Sequence, residues 1–258
     1  NKTYDGSAAG LGVSYSATPD GSLLLGTVTN TLDDKNAGTR TARVGGLHSS
    51  QQGYDILYVD GTVEVEKAVL TVTGTTAADK VYDGMTTAAI TAGTLSGFVG
   101  SETVGIATVN GDFDDKNAGT RSATAHYTLA DGTNGGLAGN YSLADTTGHA
   151  AAITPKALSI TGTTAADKVY DGTTTAAITA GTLTGFVGSE TVSIATVNGD
   201  FDDKNAGTRS ATAQYTLADG TNGGLAGNYS LADTSGHTAA IIPKALTVTG
   251  TTAADKVY

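Results

Sequence analysis

A repeat of 88 residues sets the terms on which this chain can fold. Residues 74–161 and 162–249 align without a gap and differ at nine positions, among them Ser96/Thr184, His126/Gln214, Thr154/Ile242 and Ile160/Val248. A repeat of this length can close a small core of its own, unlike a solenoid repeat of about 33 residues, which needs its neighbours. The chain therefore reads as a string of small domains. The first 66 residues are a divergent relative. Lys2-Thr3-Tyr4-Asp5-Gly6 matches Lys80-Val81-Tyr82-Asp83-Gly84, and Leu32-Asp33-Asp34-Lys35-Asn36-Ala37-Gly38-Thr39-Arg40 matches Phe113–Arg121. Gly53-Tyr54-Asp55-Ile56 stands where Gly139-Asn140-Tyr141-Ser142-Leu143 stands later. The expected plan is a first copy at 1–66 lacking its first strand, full copies at 67–155 and 156–243, and the opening strand of another copy at 244–258. No segment has the charged-then-apolar layout of a signal peptide, so an interior piece of a longer chain is expected.

Each copy reads as β. The chain holds 46 threonines and 36 glycines, a pairing of β-branched strand formers with turn formers. No window keeps a 3.6-residue apolar period, which argues against a long helix. Six or seven short strands in about 88 residues suggest an immunoglobulin-like sandwich. A β-grasp-like sheet with a helical turn near Phe186–Ser189 is the alternative, and in either case the small β domains would follow one another as an elongated rod. Asn198-Gly199 reads as a hairpin turn after strand Val192–Val197, and Asn222-Gly223 as another. The expected core of the last copy includes Leu158, Ile160, Val169, Tyr170, Phe186, Val192, Phe201, Leu225, Tyr229 and Ile241. The joint at Thr154-Pro155-Lys156-Ala157 is expected to be short and stiff.

Charge and composition exclude several classes. The net charge is −11, the wrong sign for a nucleic-acid partner or an anionic membrane surface. Leu23-Leu24-Leu25 is the longest aliphatic run, so no membrane insertion is expected. There is no cysteine, which removes disulfides and thiol chemistry.

Few residues suggest chemistry. Tyr-Asp-Gly reads as an inward tyrosine, an aspartate bonded to its own turn, and a glycine supplying positive φ. Asp112, Asp114, Asp200 and Asp202 alternate within the acidic runs Asn110–Asn117 and Asn198–Asn205, and are the candidate calcium ligands. They lack the spacing of a known calcium loop, and Lys116 lies beside the first pair. His126 gives way to Gln214, and no nucleophile-elbow motif occurs, so no enzyme activity is expected. Lys80 with Asn140 near Asp83 is the one pairing that suggests an internal isopeptide bond.

The repeated anchors themselves resemble a known family. Lys168-Val169-Tyr170-Asp171-Gly172-Thr173-Thr174, Asp203-Lys204-Asn205-Ala206-Gly207-Thr208, Gly227-Asn228-Tyr229-Ser230-Leu231 and Ile242-Pro243-Lys244-Ala245-Leu246-Thr247-Val248 resemble the YDG domain. The first copy, with Gly53–Val63, resembles the related MBG domain. The resemblance implies tandem modules of large secreted bacterial surface or biofilm-matrix adhesins, exported by two-partner secretion behind a filamentous-haemagglutinin-like front end. It implies a stalk that projects a binding region or cross-links matrix. A polysaccharide-binding module and a fibre subunit assembling by strand donation are the alternatives. The implied partners are matrix polysaccharide or neighbouring adhesin copies.

Overall fold

The computed structural model describes residues 1–16, 24–49, 55–250 and 252–258. Of the Gly53-Tyr54-Asp55-Ile56 anchor, Gly53 and Tyr54 lie outside the described residues. The chain is mostly β, without an α-helix among the described residues, and it curls into two half-barrel sheets. It divides into two compact units. One comprises Asn1–Ala78, Thr86–Asp114 and Arg121–Ala151; the other comprises Asp79–Met85, Asp115–Thr120 and Ala152–Tyr258. These bounds are interleaved along the sequence: the Tyr-Asp-Gly motif and the Asp-Lys-Asn-Ala-Gly-Thr loop of the second copy fall in the unit that holds the third.

The first and third copies share one sheet topology. In the third, strand order is Lys168–Val169, Thr234–Ile242, Gly207–Asp219, Val192–Phe201, and in the first it is Lys2–Thr3, Gly61–Glu66, Gly38–Ser49, Leu24–Leu32. The short strand that leads into Tyr-Asp-Gly runs parallel to the last strand in each case, pairing Lys168 with Ile241 and Lys2 with Val65. The long hairpin is antiparallel and carries a bulge between Ile194 and Thr196. In the second copy the corresponding hairpin is Val104–Phe113 with Gly119–Asp131, bulged between Ile106 and Thr108. A separate three-stranded sheet forms around the opening strand of the second and third copies. Lys156–Thr161 lies between Thr182–Thr184 and Tyr229–Leu231, and Ala68–Thr73 between Thr94–Ser96 and Tyr141–Leu143.

The hairpin turns later than the sequence predicts. Strand Val192–Phe201 runs straight through Asn198-Gly199, and the reversal occurs in the Asp-Asp-Lys-Asn-Ala loop before Gly207. Gly199 is there for space. A Cβ on it would lie 2.2 Å from Ile178 Cγ1, so glycine lets the strand Ile178–Thr179 close over the hairpin. Asn222-Gly223 is a true turn, with φ of 56° and 84°. The helical turn that the β-grasp alternative places near Phe186–Ser189 is absent, and the segment is a loop. Single 3-10 turns occur instead at Ala138–Asn140 and Ala226–Asn228.

The cores are built from alanine as much as from large side chains. Ala211 and Ala213 are fully buried, and Ala211 clusters with Ala176, Phe201, Ala239 and Ile241. Val169 and Leu225, expected inside, are exposed. The joint is tighter than the four residues expected, since strand Thr146–Thr154 ends one residue before strand Lys156–Thr161 begins and only Pro155 separates them. Residues 244–250 and 252–258 carry no strand, and Leu246 and Val248 are exposed. Their counterparts in Lys156–Thr161 are ordered as a strand by two neighbours, and a lone strand has no such support.

Candidate functional site

The most unusual chemistry in the molecule is a buried carboxylate, present twice. Glu102 and Glu190 are nearly excluded from solvent, and acids are rarely found so placed unless they are paired. Each follows a tight turn in the sequence Phe-Val-Gly-Ser-Glu, which returns the Glu102 N–H to the Val99 carbonyl at 3.1 Å and the Glu190 N–H to the Val187 carbonyl at 3.0 Å. The turn aims the side chain inward, where two phenols meet it.

In the first compact unit, Tyr4 of the first copy donates its hydroxyl to Glu102 Oε1 at 2.7 Å, and Tyr141 of the second copy donates to Glu102 Oε2, also at 2.7 Å. In the second unit, Tyr82 donates to Glu190 Oε1 at 2.8 Å and Tyr229 to Oε2 at 2.6 Å. Each carboxylate thus joins the Tyr-Asp-Gly tyrosine of one copy to the Gly-Asn-Tyr tyrosine of the next. The two rings pack edge to face, with centroids 5.7 Å apart for Tyr4–Tyr141 and 5.6 Å for Tyr82–Tyr229. Phe98 and Phe186 pack edge-on against the second ring of each pair. The Val99 and Val187 N–H groups donate to the Tyr141 and Tyr229 hydroxyls, fixing each phenol so that its own hydrogen points at the acid.

A side-chain amide makes the second link. Asn140 Oδ1 accepts the Ala37 N–H at 2.9 Å, and its Nδ2 donates to Asn36 Oδ1 at 2.8 Å. Asn228 does the same to Ala118 and Asn117, at 2.8 Å in both bonds. The 3-10 turns hold these asparagines at the start of the Tyr141–Leu143 and Tyr229–Leu231 strands. The receiving loop is stiffened from within. Asp34 accepts the Asn36 N–H, while Arg40 donates to the Asn36 and Ala37 carbonyls and pairs with Asp34 at 3.2 Å. Lys35 brings its ammonium to 3.7 Å from Glu102.

The titration behaviour follows from this geometry. Burial and the hydrogen bond to Glu102, with that group's negative charge, push the Tyr4 hydroxyl up to about 12, and burial and Glu190 do the same to Tyr82. Burial opposes ionisation of Glu102, but hydrogen bonds from Tyr141 and Tyr4 and the Lys35 ammonium outweigh it and hold the carboxyl below its ordinary value.

The Tyr-Asp-Gly motif is therefore a turn and a contact together. Asp5 accepts the Ser7 N–H, Asp83 the Met85 N–H and Asp171 the Thr173 N–H, each at 2.9 Å, and the three glycines have φ of 77°, 80° and 84°. The glycine also makes room. A Cβ on Gly6 would lie 3.3 Å from Val99 Cγ1, and one on Gly84 3.1 Å from Val187 Cγ1.

The other sequence candidates are employed differently. Asp112 and Asp200 accept hydroxyls from Thr86 and Thr174, at 3.3 Å and 3.2 Å, and Asp114 and Asp202 accept the N–H groups of Ser122 and Ser210. Among the described residues no group of three or more His, Asp or Glu side chains is placed to hold a metal ion. Lys80 bonds Asp83 and the Met85 carbonyl, and Asn140 serves Asn36 and Ala37. His149 and His237 each end a hydroxyl chain, Thr75–Tyr127–Thr146–His149 and Thr163–Tyr215–Thr234–His237, with every link 2.7–2.8 Å. An apolar groove of about 1040 Å³ lies along the first copy, and Asp55 is the one carboxylate among the described residues lining it.

Comparison with known families identifies the repeat. The YDG domain family matches residues 66–148 and 154–236. The chain belongs to the YDG domain family. No curated protein sequence matches it. The contacts between copies form a clasp, and in this chain the Tyr-Asp-Gly motif is its donor half, with the tyrosine hydroxyl donating. Glu102, Glu190, Asn140 and Asn228 supply the acceptor half. Sequence reasoning does not single out the two glutamates. The one signal for them is a lone acid inside Phe-Val-Gly-Ser-Glu-Thr-Val, an otherwise uncharged stretch kept unchanged in both full copies.

Proposed function

We propose that this chain is a structural segment of a large secreted bacterial adhesin, in which successive YDG copies lock to one another and carry a binding region away from the cell or cross-link a matrix. The observation that supports this reading is the carboxylate clasp. The Tyr-Asp-Gly and Asp-Lys-Asn-Ala-Gly-Thr segments, which recur in all three copies, are the ones that the following copy grips in the first and second. A flexible tether would need Gly/Ser spacers, and the single residue Pro155 between two strands is the opposite arrangement. Near-identity of the copies also suits a spacer, in which length matters more than any one surface. In this reading the array is rod-like, and its tilt and twist are set at each clasp.

The test is replacement within the parent adhesin. Exchanging the YDG block for an unrelated rigid tandem of equal length should leave cell attachment intact, whereas deleting it should abolish attachment. Loss of attachment in the exchanged protein, together with binding of the isolated chain on a glycan array, would support the polysaccharide-binding alternative instead.

A further inference from the structure

The third copy presents the donor half of the clasp with nothing on it. Its Tyr170 is only partly buried, against the full burial of Tyr4 and Tyr82. Among the described residues its hydroxyl meets no carboxylate. A Cβ on Gly172 would meet nothing within 4 Å, where the same atom on Gly6 or Gly84 would press on a valine. Asn205 and Ala206 are exposed, whereas Asn36, Ala37, Asn117 and Ala118 are partly covered.

Yet the surface is already built. Asp171 accepts the Thr173 N–H at 2.9 Å, Asp203 accepts the Asn205 N–H at 3.0 Å, and Arg209 clamps the Asn205 and Ala206 carbonyls and pairs with Asp203 at 3.2 Å. This is the internal bracing seen in the occupied loop of the first copy. The loop is held in its docking conformation before anything docks, so little ordering remains to oppose association.

We propose that the face formed by Tyr170, Gly172, Asn205 and Ala206 is a docking surface for the acceptor side of another YDG copy. The chemistry specifies the occupant. It must bring a carboxylate to the Tyr170 hydroxyl, and an amide that accepts from the Ala206 N–H while donating to Asn205 Oδ1. It must also bring a small branched apolar side chain over Gly172 and an aromatic ring to the edge of Tyr170. The set Val187, Glu190, Asn228 and Tyr229 is such a group, and it already grips the corresponding residues of the second copy. Lys204 stands where Lys35 stands beside Glu102, and so favours an acid at this position. The contact is heterologous, donor to acceptor, and so extends the array instead of closing a dimer.

The inference rests on the clasped-array reading, and the experiment separates the two. The full chain is compared with the same chain extended past Tyr258 by the sequence of residues 171–243, which completes one more copy. Native-state hydrogen exchange is read at the amides of Ala118 and Ala206. Ala118 should be protected in both proteins. Ala206 should exchange fast in the original chain and roughly tenfold or more slower in the extended one, as expected for gaining a buried hydrogen bond. Changing the added copy's clasp glutamate to alanine should return Ala206 to fast exchange and leave Ala118 unaffected. Fast exchange at Ala206 in the extended chain, with Ala118 protected, would overturn the docking surface alone. Equal protection of Ala206 by an unrelated β domain fused at the same point would also overturn it. Fast exchange at Ala118 in the original chain would overturn the clasp itself.

Discussion

Replacing Glu190 with alanine strips the acceptor from two buried phenols, Tyr82 and Tyr229. Each bond ends on an ionised group and contributes about 1.5–3 kcal/mol, so the gross loss is about 3–6 kcal/mol. Removing the acid also removes the cost of burying its charge, which returns part of this and leaves a net destabilisation of about 2–4 kcal/mol. Glutamine should cost less. Its carbonyl still accepts one phenol, but its NH₂ faces the other, whose hydrogen is then left without an acceptor, for about 1–2 kcal/mol. The appropriate readout is local, because the chain has two compact units and a single global melting curve would blend them. The amide of Tyr82, bonded to the Thr154 carbonyl at 2.8 Å, reports opening of the donor motif by native-state hydrogen exchange. A double-mutant cycle between Tyr82→Phe and Glu190→Gln should give a coupling energy of about 1–2 kcal/mol. If alanine and glutamine behave alike, or both cost under about 0.5 kcal/mol, the acid does not hold the copies together and the clasp argument fails.

Tyr170→Phe should change stability by less than about 0.5 kcal/mol, in contrast to Tyr82→Phe, because among the described residues only the latter hydroxyl is engaged by a carboxylate; native-state hydrogen exchange at the Tyr170 and Tyr82 amides checks this. Gly84→Ala should be more damaging than Gly172→Ala. Both incur about 1–2 kcal/mol for positive φ, but only Gly84 has Val187 Cγ1 in its way at 3.1 Å, and native-state hydrogen exchange at the Tyr82 and Tyr170 amides should rank the two variants accordingly. In alkali, Tyr4 and Tyr82 titrate near 10 when unfolded and are held at about 12 in the fold by burial and by Glu102 and Glu190. Their contribution is therefore complete below pH 10 and should fall away between pH 10 and 12, as followed by phenolate absorbance against circular dichroism. In acid the sign reverses for Glu102. Its folded value is depressed, so its contribution is present above the ordinary glutamate range and should be lost as pH falls through the lower folded value, and exchange at the Ala37 amide should accelerate in that range.

The β class, the 88-residue period and the turn chemistry of Tyr-Asp-Gly are local properties, and the sequence by itself determines them. Alternation of side chains along Gly207–Asp219 requires a strand with two faces, and a glycine after Tyr-Asp can take positive φ whatever surrounds it. Asn222-Gly223 turns for the same local reason. Asn198-Gly199 has the same letters and does not turn, because Ile178 packs where a Cβ would stand and the strand continues beneath it. That outcome depends on a residue 21 positions away in the chain. The same limit hides the clasp. Tyr4 lies 98 residues from Glu102, and Tyr82 lies 108 from Glu190, so no window of sequence contains both partners. Repetition marks these residues as recurring without revealing that the motifs of the first and second copies are completed by the copy that follows. Only the tertiary structure decides that, since a buried charge is tolerable just where the fold delivers enough donors to it, and here the donors come from two different copies.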